Sequence, residues 1–252
     1  MVDWQTFAVT GLALLATFLC NHYAFSAELP SGLIGIAIIF PIVFSINAAY
    51  RRREEVLRYF ASLKAHGMAL YYAHADWGGD NPTRAERFEK LFLSILEEVK
   101  NYFASQKRDD IENKKRVFES FKEVSKSNEM LRDSGIAATE ISRVNQYLRS
   151  MIIDFEKMRN VKLYQTPKSL RAYSQIFLNL FPILYAPYFA HICLESHIYS
   201  GYAVAAIYSL VLVTLDNIQE DLEDPFDGVG EDDVKLEVAS DYRKLFQTKK
   251  AE

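Results

Sequence analysis

Acidic side chains are concentrated near the carboxyl end of the chain, where they could bind a metal ion. Ten Asp and Glu residues lie within 216–237. Hard cations such as Ca²⁺ take several oxygen ligands, and carboxylates are common among them. The segment therefore predicts a calcium site formed by Asp224, Glu231, Asp232 and Asp233, although its spacing is not that of an EF-hand. A solvent-exposed helix end without bound metal is the alternative, and we expect no other cofactor.

A second arrangement of side chains could control the passage of ions. Ile36, Phe40 and Phe44 are spaced at i, i+4 and i+8, so they lie along one face of a helix. Such a stripe usually faces lipid or packs against a neighbouring helix. In an oligomer, rings of bulky apolar side chains can instead narrow a channel and gate it by dewetting. The three residues are therefore a candidate pore neck.

The histidines and cysteines show no spacing typical of catalysis or metal binding. No two histidines are spaced as in a helical zinc motif, and the chain has no glycine-rich phosphate loop. Cys20 and Cys193 are too few for a disulfide framework or a zinc site. The formal net charge of −4, without a basic stripe interleaved with aromatics, gives no reason to expect nucleic acid. We therefore expect a protein that is not an enzyme.

The elements that must position these residues are indicated by the distribution of charge. Of the 29 Lys and Arg residues, 24 lie in 51–171 and five in 235–252, with none in 1–50 or 172–234. Four segments carry no charged side chain, and each is about as long as the ~20 residues that a membrane-spanning helix needs. These four segments are 5–25, 31–50, 172–194 and 196–215.

Short links join the four predicted spans into two helical hairpins. Residues 28–30 join the first pair, and Glu195 lies in the turn of the second. Lys and Arg collect in cytoplasmic loops, which places 51–171 and both termini inside and both short turns outside. Two alternatives exist: residues 1–27 as a cleaved signal peptide, and 172–194 as a buried helix of a soluble domain. The lack of a basic n-region argues against the signal peptide.

The region between the hairpins predicts helices throughout. Residues 31–75 are expected to form one continuous helix, and 141–158 carry a clear apolar stripe opposite a charged face. The predicted organisation is a first hairpin at 1–50, a cytoplasmic helical domain at 51–171, a second hairpin at 172–215 and an acidic cytoplasmic tail at 216–252.

Three stretches of the chain resemble signatures of the bestrophin family of ion channels. Phe44 to Arg52 is similar to the family's F-R-x-N-x-A-Y-x-R at the cytoplasmic end of the second span. Glu156 to Asn160, followed by Thr166-Pro167, resembles E-R-I-R-N-T-P before the third span. Leu222 to Phe226 resembles L-E-D-P-F after the fourth. The residues that carry the likeness most directly are Asn47, Tyr50, Arg52, Arg159, Asn160, Pro225 and Phe226.

The resemblance implies an all-α membrane protein of the bestrophin type, assembled as a homopentamer in the lipid bilayer. The second span of each subunit would line one central pore. Aligned on the first signature, the family's three neck positions fall on Ile36, Phe40 and Phe44. Small inorganic anions, chloride above all, are then the expected permeant ions. A cation-selective channel of the same type, as in some bacterial relatives, is one alternative. A non-conducting membrane scaffold or sensor with a partner-binding helical domain is the other.

The chain departs from the family pattern in ways that bear on the calcium prediction. Val161 to Gln165 are inserted between Asn160 and Thr166-Pro167, and the segment after Phe226 is one residue longer than the bacterial pattern. Calcium activation is therefore not implied by the resemblance. The calcium prediction depends on the acidic residues themselves.

Overall fold

The computed structural model describes residues 4–77, 82–164, 168–228 and 233–248, with the backbone alone described at 31, 33, 34, 37, 38, 41 and 168–174. Within these ranges the chain forms α-helices and no strand. The helices are α1 (Trp4–His22), α2 (Ser31–Asp76), α3 (Pro82–Ala104), α4 (Ile111–Asp133), α5 (Ala138–Leu163), α6 (Lys168–Leu184), α7 (Ala186–Glu195), α8 (Ile198–Glu223) and α9 (Ala239–Thr248).

The helices fall into two compact units. The first, here called the apolar unit, comprises Met1–Arg51 and Thr166–Glu223. The second, the charged unit, comprises Arg52–Gln165 and Asp224–Glu252. Helix α2 is continuous across the division, as the sequence predicts, because no helix-breaking residue follows residue 50 before the helix is well established in the charged unit.

In the apolar unit, α1 packs against α6, α7 and α8. Three stretches in the described part of the chain are long and apolar enough to cross a membrane: Trp4–His22, Gln175–Glu195 and Ile198–Glu223. The predicted span at 31–50 includes side chains outside the description, so the count of four spans stays a prediction. Gly201 allows α7 and α8 to touch, because a Cβ there would lie 2.1 Å from the carbonyl oxygen of Phe189.

The predicted single span at 172–194 is interrupted in the structure. Helix α6 ends at Leu184, and α7 begins at Ala186 with Pro187 in its first turn. Proline has no N–H to donate and its ring crowds the preceding turn, so it is favoured where a helix starts afresh. The amides of Tyr188 and Phe189 both bond to the carbonyl of Tyr185 instead, at 3.0 and 3.1 Å.

The charged unit has one aromatic-rich core. It is formed by the carboxyl half of α2 with α3, α4, α5 and α9. The apolar stripe predicted on α5 is buried, as expected, at Ile141, Val144, Leu148, Met151, Phe155 and Met158. Gly67 of α2 lies directly on Phe92 of α3, where a Cβ would come within 2.1 Å of the ring. The close approach of these two helices therefore requires glycine.

A buried polar chain also crosses this core. His74 is fully buried, stacks on Phe88 at 4.6 Å between ring centroids, and places Nε2 3.0 Å from Asn128 Oδ1. Asn128 Nδ2 donates in turn to Asn145 Oδ1, also at 3.0 Å. Burial, the largest cause, lowers the pKa of His74 to about 4, so the ring is neutral at pH 7.

Candidate functional site

The candidate neck residues lie on one exposed face of α2. Ile36, Phe40 and Phe44 are 56%, 57% and 64% exposed within a single chain, comparable to Phe18 of α1 and Ile207 of α8. The rings of Phe40 and Phe44 are neighbours, with centroids 5.8 Å apart and planes inclined by 44°. The side chains therefore form a continuous apolar stripe that their own chain does not cover.

The opposite face of the same segment packs inside the apolar unit. Ile42, Ser45 and Ala49 are buried there, and Ile42 contacts Leu178 and Leu212 of α6 and α8. The motif residues Asn47 and Tyr50 are exposed and continue the neck face by one and two helical turns. The segment is thus two-sided, with one face packed in its own chain and one face free to meet lipid, another chain or a pore.

The motif arginine Arg52 binds the carboxyl end of α5. Its guanidinium donates to the carbonyl oxygens of Val161 at 3.5 Å and of Tyr164 at 3.1 Å. Arg108 donates to the carbonyl of Leu163 in the same turn. The last carbonyls of a helix have no partner within it and carry partial negative charge, so two guanidinium groups stabilise this end. The first signature therefore contacts the insertion that directly follows Asn160 of the second signature.

Arg159, from the second signature, is the centre of a polar network. Its guanidinium lies 2.5 Å from Glu156 and 3.5 Å from Asp109, and Asp109 also accepts a hydrogen bond of 3.1 Å from Tyr102 Oη. Burial lowers the pKa of Arg159, but the two carboxylates outweigh it and the net shift is upward. Burial alone would raise the pKa of Asp109, but the hydrogen bonds from Arg159 and Tyr102 outweigh this effect, and the pKa is lowered. Asn160 beside it is exposed.

Phe226, from the third signature, docks on the same part of the core. Its ring stacks on Phe103 with centroids 4.3 Å apart and planes inclined by 23°. Pro225 is buried, and its carbonyl accepts a hydrogen bond of 3.0 Å from the amide of Val234. Members of all three signatures within the charged unit therefore converge on the carboxyl ends of α3 and α5.

Lys162 lies at the centre of this convergence, although it belongs to none of the three signatures. Its Nζ donates to the carbonyls of Tyr102, Phe103 and Ser105 at 3.1, 3.0 and 2.7 Å. A signal was present: Lys162 follows Met158 at the next core position of the α5 stripe, where a charged residue is unexpected. A cavity of about 460 Å³ adjoins the lysine and is lined also by Arg108, Asp224 and Asp227.

The structure describes two of the four residues predicted to bind calcium, Asp224 and Asp233. Asp224 accepts a hydrogen bond of 3.1 Å from the amide of Phe226, and Asp233 accepts one of 2.5 Å from the amide of Gly228. Burial and the nearby charges of Asp227 and Asp224 raise the pKa of Asp233. Glu231 and Asp232 lie outside the described residues. Among the residues that are described, no three His, Cys, Asp or Glu side chains form a metal-binding group.

One cluster in the charged unit has the residue types of a hydrolytic triad. Ser62 Oγ and Asp154 Oδ2 each lie 3.4 Å from His66, but both approach the same ring nitrogen, Nδ1. Nucleophile activation requires the serine on one ring nitrogen and the carboxylate on the other. The cluster therefore lacks the geometry of a catalytic relay.

Polar side chains also link three helices of the apolar unit. Asn179 of α6 donates to Asp216 of α8 at 3.0 Å and accepts from Gln5 of α1 at 3.3 Å. Asp216 is buried. Polar groups in spanning helices are costly unless they are paired, and such pairs hold helices together.

The fold matches solved structures of bacterial membrane proteins. Crystal structures of a bacterial bestrophin homologue from Klebsiella pneumoniae superpose with TM-scores of 0.78 and 0.77 at 15% and 16% identity, with 97% of each chain covered in both. A single-substitution variant of that homologue gives 0.80 at 16% identity, covering 96% of each chain. The bestrophin resemblance is thus confirmed for the fold, in a divergent sequence.

No protein-family model matches the sequence, and no curated protein is similar to it by sequence.

Proposed function

We propose that the protein is the subunit of an oligomeric ion channel in which α2 lines a central pore. Ile36, Phe40 and Phe44 form the neck of this pore, and small anions, chloride foremost, are the permeant ions. The observation that carries the proposal is the two-sided α2 segment, which packs through Ile42 and Ser45 and leaves the bulky stripe uncovered. The bestrophin fold supports the same function.

The chemistry of the stripe fits a constriction. An ion that enters a ring of apolar side chains must shed part of its water, so the ring is a barrier that small changes in radius can open. Aromatic rings have a positive edge and a negative face. Phenylalanine edges directed toward the axis would favour anions, whereas faces would favour cations.

A pore of this kind requires several copies of the chain. One face of one helix cannot enclose an aqueous path, so the stripe must meet its symmetry mates around an axis. We propose a homopentamer within the lipid bilayer, with the charged unit and both termini on the cytoplasmic side. The excess of Lys and Arg in 51–171 supports this orientation.

Planar-bilayer recording of the purified protein under a potassium chloride gradient tests the proposal. We expect discrete current steps that reverse near the chloride equilibrium potential. Replacing Ile36, Phe40 and Phe44 together by Ala should widen the neck and raise single-channel conductance severalfold.

A matched control replaces Leu15, Phe18 and Ile207, which are similarly exposed on α1 and α8, by Ala. This control should leave the conductance unchanged. Particle mass, compared with the 29.0 kDa chain, confirms that each variant is assembled. Unaltered conductance in an assembled neck variant would remove the neck assignment, and reversal near the potassium potential would make the channel cation-selective. The absence of any current from a confirmed pentamer would favour the non-conducting scaffold alternative.

A further inference from the structure

The hydrogen-bond geometry around Lys162 is that of an ammonium group. Its three acceptors are backbone carbonyl oxygens, which cannot donate. A neutral amine has two N–H groups, and only the ammonium form has three. Burial lowers the pKa of Lys162, and the opposite effects of Asp224, Asp110 and Asp109 offset this lowering only in part. The side chain is 5% exposed, so this ammonium ion is almost entirely removed from water.

The surroundings of the ammonium are those of a cation site. Two of its acceptors, the carbonyls of Tyr102 and Phe103, lie in the last turn of α3 at the negative end of that helix, and the third, that of Ser105, follows directly. The rings of Tyr102 and Phe103 lie 5.3 and 5.9 Å from Nζ, within the range of cation–π attraction. Asp224 begins the acidic segment, defined here as 224–228 together with 233–238. Phe226 of this segment stacks on Phe103, one of the residues whose carbonyl binds the lysine.

We propose that the Lys162 ammonium is a built-in cation that takes the place of a bound metal ion between the carboxyl end of α3 and the acidic segment, so that this segment folds without calcium. Lys162 lies in the insertion Val161 to Gln165 that distinguishes this chain from the bestrophin pattern. A side chain of the protein itself therefore provides the positive charge that the acidic residues would otherwise obtain by binding a metal ion from solution.

The spacing of the carbonyls indicates which cation the site prefers. The oxygens stand 2.7–3.1 Å from Nζ, whereas calcium takes its oxygen ligands at about 2.3–2.6 Å. Three backbone carbonyls held by helix α3 and the turn after it would have to close in to bind calcium well. Without the lysine side chain, the site should select a small ammonium ion, with access through the adjoining cavity of about 460 Å³.

Chemical rescue of Lys162→Ala in the full-length, detergent-solubilised protein tests the proposal. The variant should unfold several degrees below the wild type, and methylammonium chloride should restore much of the loss in a saturable manner. Choline, which is too large for the site, should not. Lys157→Ala removes a neighbouring exposed lysine of α5 that also contacts an aromatic ring, at 5.0 Å, and is the matched control. Its stability should not respond to methylammonium.

Hydrogen exchange supplies a second readout that does not depend on the alanine variant. The amides of Phe226 and Val234 are bonded within the acidic segment and report its opening. In Lys162→Gln, which keeps two donors but no charge, these amides should exchange about tenfold faster or more. Millimolar calcium and a chelator should leave the wild-type exchange unchanged. Wild-type rates in Lys162→Gln, protection of the wild type by calcium, or equal responses of Lys162→Ala and Lys157→Ala to methylammonium would overturn the proposal.

Discussion

At the scale of single residues, burial decides what each charged or polar side chain does. His66 and His74 lie on the same helix, yet only His74 is fully buried, and its pKa falls to about 4. Arg159 and Arg143 both pair with a glutamate three residues earlier on α5, but only Arg159 is largely enclosed. The sequence shows the residue types and the spacing in each case, whereas the structure shows which side chains are enclosed.

His74 predicts a loss of stability in mild acid. Its pKa is about 4 in the folded protein and near 6.5 when unfolded, so the unfolded chain binds a proton more readily. Stability is therefore intact above pH 6.5 and falls as the pH drops toward 4, by up to about 3 kcal/mol. Denaturant unfolding across this range measures the effect. His74→Gln should flatten the dependence, and an equal acid sensitivity in both proteins would contradict the assignment.

The two arginine–glutamate pairs of α5 form a matched comparison. Arg159–Glu156 has an arginine side chain that is 18% exposed, while Arg143–Glu140 has one that is 56% exposed. Water screens the second pair, so its coupling energy should be about 0.3–0.5 kcal/mol. The enclosed pair, which also involves Asp109, should give roughly 1–2 kcal/mol. Double-mutant cycles measured by denaturant unfolding decide the matter, and equal couplings would show that the network around Arg159 adds no stability.

At the scale of elements, close helix contacts depend on glycine at two positions. Gly67 touches the ring of Phe92, and Gly201 touches the backbone of Phe189. In both cases any side chain would overlap a neighbour that is itself buried. The sequence contains these glycines without any sign of their role, because other helical glycines, such as Gly11, face open space.

Gly67→Ala should therefore destabilise the charged unit. The new methyl group would overlap a fully buried ring, and overpacking of a core costs about 1–3 kcal/mol. Gly11→Ala is the control and should be neutral or slightly stabilising, because alanine is the better helix former. Adding Phe92→Leu to Gly67→Ala should recover part of the loss. Thermal unfolding compares the four proteins, and full stability in Gly67→Ala would show that α2 and α3 can separate without cost.

At the scale of the whole molecule, the sequence predicts the helices better than the contacts between them. The long α2 and the buried α5 stripe follow from local periodicity, which a helix expresses directly. Pro187 indicates an interruption of the apolar segment 172–194, but only the structure shows that the break falls at Tyr185. Arg159 pairs with Asp109, and Lys162 binds the carbonyl of Ser105, so both contacts join residues at least 50 positions apart, which no local pattern encodes.

For the candidate neck, too, the sequence predicts a helix face but not what that face contacts. Helical spacing places Ile36, Phe40 and Phe44 on one face, but only the packing of Ile42 and Ser45 shows that this face is the uncovered one. The three short signatures predict the fold, because their order along the chain is specific even where each signature alone is weak. The role of Arg52 as a cap for α5 needed the structure, since its acceptors are backbone carbonyls.

The division of the apolar unit along the chain has a consequence for biosynthesis. Its first part ends at Arg51 and its second begins at Thr166, so the ribosome must translate Arg52–Gln165 of the charged unit between them. The face of α1 that carries Thr6, Ala13 and Thr17 packs away from solvent in the finished protein, partly against α8. At roughly 5–20 residues per second, α8 emerges roughly ten to forty seconds after α1. During that interval the insertion machinery or lipid must shelter a helix whose partners have not yet been made.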